Sequence, residues 1–230
     1  MWNLENSATP PSKTMKTSFL FIRPTRRGFT LVELLVVIVI IAILASLAVP
    51  VTNKVMELAN TTRTKAIMKD LAVAIGHFRT EYNRLPVDLS GASGGEDIDP
   101  IPTDDTTDII SVLMAMSDPN SGGGGGGPNL NPRGIKFIDL PLARNGTSFG
   151  IVDPSGGAGG GNVRLYDIWG QPYFILLDTN LDNRITNPDA SNIDQRISAR
   201  APQYLPSSTA VHCTGPDKII NTKDDITSWR

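Results

Sequence analysis

The chain has 230 residues, of which 40% are hydrophobic and 19% charged, and its formal net charge is −2. Residues 1–27 carry five basic side chains and one acidic side chain, so the remainder of the chain is acidic. An acidic body argues against nucleic acid as a partner, because phosphate binding requires a basic face.

Few residues are available for metal or catalytic chemistry that depends on histidine and cysteine. Cys213 is the single cysteine, which excludes an intrachain disulfide, and the two histidines are His77 and His212. This number is too small for most zinc sites and for most Ser-His-Asp or Cys-His sets. We interpret both histidines as structural. No convergent set of nucleophile, acid and base is found, so we expect no enzymatic activity.

A long apolar run follows the basic N-terminal segment. Residues 34–49 (LLVVIVIIAILASLAV) contain no charged side chain. With Leu31 and Val32 they would reach about 30 Å as a helix, roughly the hydrocarbon thickness of a bilayer. A buried core helix is rarely apolar on all faces, whereas a secretory signal would use ASLAVP (45–50) as its cleavage region. The preceding arginines place the start of the run in the cytoplasm.

Glu33 lies inside this apolar run. An acidic side chain near the centre of a membrane helix costs about 2.5–3.5 kcal/mol, less near its end, and such residues are functional by default. Glu33 therefore needs a cationic partner. Cleavage after Gly28 would create one, the free amine of Phe29.

The sequence RGFTLVELLVVIVIIAILA (27–45) resembles the leader junction of type IV pilins and type II secretion pseudopilins. The resemblance implies that a prepilin peptidase cuts after Gly28 and methylates the new N-terminus at Phe29. It also implies that Glu33 pairs with the terminal amine of a neighbouring subunit during assembly. Pro50 matches a proline that bends the helix in this family.

We therefore expect three segments. Residues 1–28 are a cleaved leader, 29–50 a transmembrane and assembly helix, and 51–230 a periplasmic domain. The leader is long for the family, and Met15 is an alternative start to Met1.

Beyond the membrane segment the pattern predicts an α+β fold. Apolar residues recur at steps of three and four as far as Tyr82 and predict an amphipathic helix that ends in YNRLP (82–86). A short helical patch is predicted at Asp108–Met116. Short apolar runs separated by Gly, Pro and Asn predict an antiparallel sheet packed on the long helix. These runs are 135–140, 148–152, 163–168, 173–177 and 210–213.

Two further segments are interpreted as structural. The glycine tracts 121–128 and 155–161 lack the Lys-Ser/Thr ending of a phosphate loop and are interpreted as surface loops. DIWGQPYFI (167–175) resembles a signature of the major pseudopilin, with Ile168 in place of a proline. We interpret Trp169 and Tyr173 within it as core and turn residues.

The C-terminal segment CTGPDKIINTKDDITSW (213–229) contains three spaced carboxylates. On composition alone a solvated acidic turn is favoured, although a hard cation such as calcium would also neutralise them. Gly-Pro-Asp-(x6)-Asp-Asp-Ile-x-x-Trp resembles the calcium loop of type II secretion major pseudopilins. The resemblance implies that Ca²⁺ is bound by Asp217, Asp224 and Asp225, with further oxygens from Thr214 and Thr222.

DTNLDNRITNPD (178–189) is a second candidate for calcium, because positions 1, 3, 5 and 12 fit the spacing of an EF-hand-like loop. Asn183 replaces the usual glycine, and Pro188 fits such a loop poorly. We favour a polar hairpin turn without metal.

The expected function is that of a structural subunit of the periplasmic pseudopilus of a type II secretion system. The resemblance implies a homopolymer that also contains minor pseudopilins, a prepilin peptidase and an inner-membrane platform as partners, and a single-pass anchor in the inner membrane. A surface type IV pilin or a minor pseudopilin is the alternative. A membrane-anchored hydrolase or calcium-dependent sugar-binding module is a third hypothesis, which an intact Gly28–Phe29 bond would favour.

Overall fold

The computed structural model describes residues 28–89, 96–104, 106–116, 130–143, 149–152 and 163–230. The predicted leader up to residue 27 and both glycine tracts lie outside these ranges. The chain divides into two units, Met1–Pro50 and Val51–Arg230.

Helix α1 (Leu31–Tyr82) is 52 residues long and continues across position 50. It ends at Tyr82, as the sequence predicts, and Asn83 follows with a left-handed backbone (φ 52°) that asparagine adopts more easily than most residues. Among the described residues, no helix is both long enough and apolar enough to cross a membrane. The second half of α1 buries one apolar stripe at steps of three and four, formed by Ile67, Met68, Leu71, Ile75 and Phe78.

This stripe packs into a core that it shares with an antiparallel sheet. The sheet has four strands in the spatial order β1, β4, β7, β8. They are β1 (Ile101–Pro102), β4 (Phe174–Leu177), β7 (Thr209–Cys213) and β8 (Ile226–Thr227). The predicted α+β arrangement, a helix packed on an antiparallel sheet, is confirmed.

The remaining strands form two small antiparallel sheets. One pairs β2 (Gly150–Val152) with β3 (Arg164–Tyr166), and the other pairs β5 (Ile185–Thr186) with β6 (Tyr204–Leu205). Two short helices, α2 (Ile109–Leu113) and α3 (Gln195–Ser198), and a 3₁₀ turn (Pro188–Ser191) complete the described elements. α2 lies within the predicted helical patch.

Successive side chains of a strand point to opposite sides. In the central sheet each of the two sides packs into a hydrophobic core. Phe174 pairs with His212 and Ile175 with Val211. Ile175 and Val211 enter the main core beside α1. The neighbouring Leu176 enters a second, smaller core with Ile185.

One predicted strand is wrong. Residues 135–140 form no ladder with any described strand. Ile138 and Leu140 are nevertheless buried, and the amide of Phe137 donates to the carbonyl of Leu113. The apolar pattern of this segment therefore reflects packing beside α2 rather than strand pairing.

Candidate functional site

The predicted processing junction lies on the surface. Gly28 and Phe29 are both exposed, and the side chain of Phe29 is 76% exposed. Every residue from 28 to 46 is exposed, although most of their side chains are apolar. Apolar surface on this scale requires a covering partner or a lipid environment.

Glu33 takes part in a capping box at the start of α1, a role that the sequence analysis missed. The hydroxyl of Thr30 accepts a hydrogen bond from the amide of Glu33 at 3.2 Å. The Oε2 atom of Glu33 accepts in return from the amide and the hydroxyl of Thr30, each at 2.8 Å. The signal was available in the sequence, because Thr-x-x-Glu before an apolar run is the pattern of a capping box.

The C-terminal loop brings several of the predicted calcium ligands together. The hydroxyl of Thr222 lies 3.0 Å from Oδ1 of Asp224 and 3.3 Å from Oδ1 of Asp225. The amide of Asp217 donates to Oδ2 of Asp224 at 3.2 Å. The carboxylate of Asp217 is exposed and accepts from the amide of Ile219 at 2.9 Å. The loop therefore places Asp217 and Thr222 next to the paired carboxylates.

The electrostatics of the loop differ from one carboxylate to the next. Burial raises the pKa of Asp225. The hydrogen bond from the backbone of Ile219 lowers the pKa of Asp217. Thr214 is buried, and its hydroxyl oxygen has no hydrogen-bond partner among the described residues. This hydroxyl and the carboxylates supply the hard oxygen donors that calcium prefers.

Gly215 lets the two ends of the loop meet. Its backbone is left-handed (φ +66°), and an added Cβ would lie 2.2 Å from the carbonyl oxygen of Asp224. Only glycine fits such an approach. Nonetheless, within the described part of the chain no group of three or more His, Cys, Asp or Glu side chains is arranged to hold a metal ion. Calcium binding by this loop therefore stays a prediction.

The last two residues, Trp229 and Arg230, contact the 3₁₀ turn. The indole Nε1 of Trp229 donates to Oδ2 of Asp189 at 2.7 Å, and Nε of Arg230 lies 3.1 Å from the same oxygen. Asp189 is buried, so both contacts satisfy a carboxylate that has little access to water. In the sequence Asp189 is position 12 of the candidate loop 178–189, and no local pattern predicts its contact with Trp229.

Within the candidate loop 178–189, residues 178–184 form a polar turn that leads into β5, and the 3₁₀ turn begins at Pro188. The two oxygens of the buried Asp178 accept from the amides of Asp182 and Asn183. Asn183 has φ 59°, a left-handed conformation that asparagine adopts more easily than most residues. Asp189, at position 12 of the candidate loop, accepts a hydrogen bond from Trp229.

The DIWGQPY segment is a tight turn built on Asp167, whose Oδ1 accepts from the amides of Trp169 and Gln171. Burial raises the pKa of Asp167. Tyr173 is fully buried and Trp169 packs partly buried against the core, as the interpretation of core and turn residues requires.

Comparisons with known proteins agree with the N-terminal pattern. Residues 23–49 match the prokaryotic N-terminal methylation motif. The chain is also 37% identical over 62 residues to the competence protein ComGC of Halalkalibacterium halodurans. That match covers 27% of this chain and 61% of the relative, so the chain spans less than two thirds of the length of the curated protein it resembles. No solved structure matches. The N-terminal part of the chain is therefore type IV pilin-like.

Proposed function

We propose that this chain is a structural, non-enzymatic subunit of the periplasmic pseudopilus of a type II secretion system. The observation that supports this proposal most directly is the methylation motif at 23–49, in which the apolar side chains of α1 are exposed in the single chain. An exposed apolar helix with one carboxylate near its start suits a subunit that leaves the membrane and packs into a filament.

In this proposal a prepilin peptidase cuts after Gly28 and methylates Phe29. The segment 29–50 first anchors the subunit in the inner membrane and places the following domain in the periplasm. Glu33 then receives the terminal amine of a neighbouring subunit, which offsets the cost of placing a carboxylate among apolar side chains. The partners are further copies of the chain, minor pseudopilins and an inner-membrane platform.

Calcium is the proposed cofactor. Asp217, Asp224 and Asp225 would supply the charge, and Thr214 and Thr222 would supply further oxygens. The unpartnered buried hydroxyl of Thr214 and the proximity of Thr222 to both adjacent carboxylates support this assignment. Bound calcium would neutralise the repulsion among the carboxylates and hold the loop in one conformation.

A competence filament subunit is the second candidate, because the matched relative is named a competence protein. That similarity covers 62 residues, 27% of this chain. The spacing Gly-Pro-Asp-(x6)-Asp-Asp-Ile-x-x-Trp is the observation that favours secretion over competence. A surface pilin and a minor pseudopilin share the N-terminal motif and remain alternatives.

Two measurements test the proposal. Mass spectrometry of the mature protein should show an N-methylated Phe29 at the N-terminus, and a Gly28→Leu variant should keep its leader. Deletion of the gene should then abolish export of folded proteins and leave DNA uptake intact. An intact Gly28–Phe29 bond in the mature protein would contradict assembly and favour a membrane-anchored binding module. Loss of DNA uptake with normal export would favour the competence candidate.

A further inference from the structure

A cavity of about 670 Å³ lies beside β4 and β5, between the segment 96–100 and the 3₁₀ turn. This volume is within the usual range for small-molecule sites, about 300–1,000 Å³. The proposed pseudopilus function makes no use of the cavity.

The rim of the cavity is acidic. Four carboxylates line it, from Glu96, Asp97, Asp99 and Asp182, against one cation, Arg184. Asp97 is committed to the fold, because its Oδ1 accepts from the amide of Thr179. Glu96 and Asp99 are exposed and make no hydrogen bond or ion pair with the residues that the structure describes. The excess of negative charge favours a cationic ligand.

A buried imidazole in the wall of the cavity gives an independent reason to expect a ligand. His212 lines the cavity and is only 1% exposed. Its Nε2 atom has no hydrogen-bond partner among the described residues. Buried polar atoms in native structures are nearly always satisfied, and a ligand or a water bound in the cavity would explain an orphan atom in its wall.

The other lining residues suit an organic cation. Leu176 and Ile185 are buried and give the cavity an apolar floor. Tyr204 also lines the cavity, and its side chain is 46% exposed. An aromatic face attracts ammonium and guanidinium groups. An apolar floor beneath an acidic rim accommodates the methylene stem that lysine and arginine carry below their charged heads.

We propose that this cavity binds an alkylammonium or guanidinium group, supplied by a lysine or arginine side chain of a protein partner or by a free polyamine. The apolar stem lies over Leu176 and Ile185. The cationic head lies among the rim carboxylates beside the ring of Tyr204. His212 offers its Nε2 to the ligand.

The test measures binding to the full-length chain in detergent micelles at constant calcium concentration, by ligand-observed NMR with empty micelles as the blank. The probe is Nα-acetyl-lysine N-methylamide, and its uncharged match is Nα-acetyl-norleucine N-methylamide. We expect saturable binding of the lysine probe and none of the norleucine probe. Equal binding of the two probes would overturn the proposal.

Three variants locate the site. In Glu96→Gln/Asp99→Asn the dissociation constant for the lysine probe should rise about fivefold or more, because two exposed charges are lost without a change of shape. Asp70→Asn/Asp139→Asn removes two exposed carboxylates outside the cavity and should bind as the wild type does. His212→Phe should weaken binding without lowering the melting temperature, since it removes an unpartnered polar atom.

Spermidine distinguishes the two sources of the cation. Binding of spermidine about tenfold tighter than that of the lysine probe would identify a free polyamine, and comparable binding would identify a protein side chain. Unchanged affinity in Glu96→Gln/Asp99→Asn, with the fold intact by circular dichroism, would overturn the proposal.

Discussion

Thr30 and Glu33 cap the first turn of α1 reciprocally, each side chain accepting a hydrogen bond from the other residue's backbone amide. The carboxylate proposed to receive a neighbour's amine in the filament is therefore already held by its own subunit before assembly. The capping box keeps Glu33 at a fixed position and provides it with donors while no amine is present.

Glu33→Gln separates these two roles, because glutamine preserves a capping box but carries no charge. We expect the variant to be cleaved normally and to fail in filament assembly. Thr30→Ala is the matched control, since it removes the cap, at a cost of about 1 kcal/mol, and keeps the charge. Filament yield after shearing, compared with cleavage on immunoblots, is the measurement. Wild-type filament yield from Glu33→Gln would contradict the pairing role.

Asp217→Ala should reduce the effect of calcium on stability. Calcium that binds only the folded state adds about 2.7 kcal/mol when its concentration is a hundredfold above the dissociation constant. The melting temperature of residues 54–230 should therefore rise by several degrees in calcium relative to chelator for the wild type, and less for Asp217→Ala. Asp139→Ala, at an exposed carboxylate outside the loop, is the control. An equal rise for the wild type and Asp217→Ala would remove Asp217 from the proposed ligands.

Gly215→Ala should destabilise the loop far more than Gly134→Ala. Both glycines have a left-handed backbone, so both substitutions carry a conformational cost of about 1–2 kcal/mol. Only at Gly215 does the new Cβ meet the backbone of Asp224, whereas no atom lies within 4 Å of the Cβ added at Gly134. Urea denaturation of both variants, with and without calcium, measures the difference. Equal losses would show that the loop relaxes around the added methyl group.

The sequence predicts those elements whose signal is local. The end of α1 at Tyr82 was predictable because its buried stripe has a helical period and the chain then reads Asn-Arg-Leu-Pro. β4 and β7 were predictable because each is a short apolar run bounded by polar or turn residues. The segment 135–140 has the same apolar character, but its amide at Phe137 bonds to α2, which no local pattern reveals.

The parts of the candidate sites that the sequence did not predict depend on contacts between distant positions. Trp229 reaches Asp189, 40 residues earlier in the chain. β5 pairs with β6 across an intervening turn and helix. Glu96 and His212 both line the acidic cavity, and neither residue is part of a recognisable motif. The capping box at Thr30 was the exception, because its pattern is local and was present in the sequence.

Trp229→Phe should destabilise the C-terminal part of the domain. The indole Nε1 satisfies one oxygen of the buried Asp189, and leaving that carboxylate with fewer donors costs about 1–3 kcal/mol. Trp169→Phe is the matched control, because its indole nitrogen makes no hydrogen bond to a described side chain or backbone group. The free energy of unfolding in urea, followed by circular dichroism, is the measurement. A larger loss in Trp169→Phe would show that packing outweighs the hydrogen bond.

His212 should make the domain less stable in mild acid. Burial, together with the charge of Arg230, lowers the pKa of His212 to about 4 from its ordinary 6.5. The unfolded chain takes up a proton as the pH falls past about 6.5, whereas the folded chain does so only near 4. Neutral His212 therefore costs the domain no stability above pH 6.5. On acidification between these two values the free energy of unfolding falls, by at most about 3 kcal/mol.

His212→Phe retains an aromatic ring stacked on Phe174 and removes the titrating group. The difference in unfolding free energy between the wild type and this variant should change steadily from pH 6.5 to 4. Asp167 and Asp225 have raised pKa values in both proteins, so their opposite contribution cancels in that difference. His77→Phe is the control at the exposed histidine of α1. A pH-independent difference between His212→Phe and the wild type would show that His212 takes up its proton equally well when folded, and that burial does not oppose its charge.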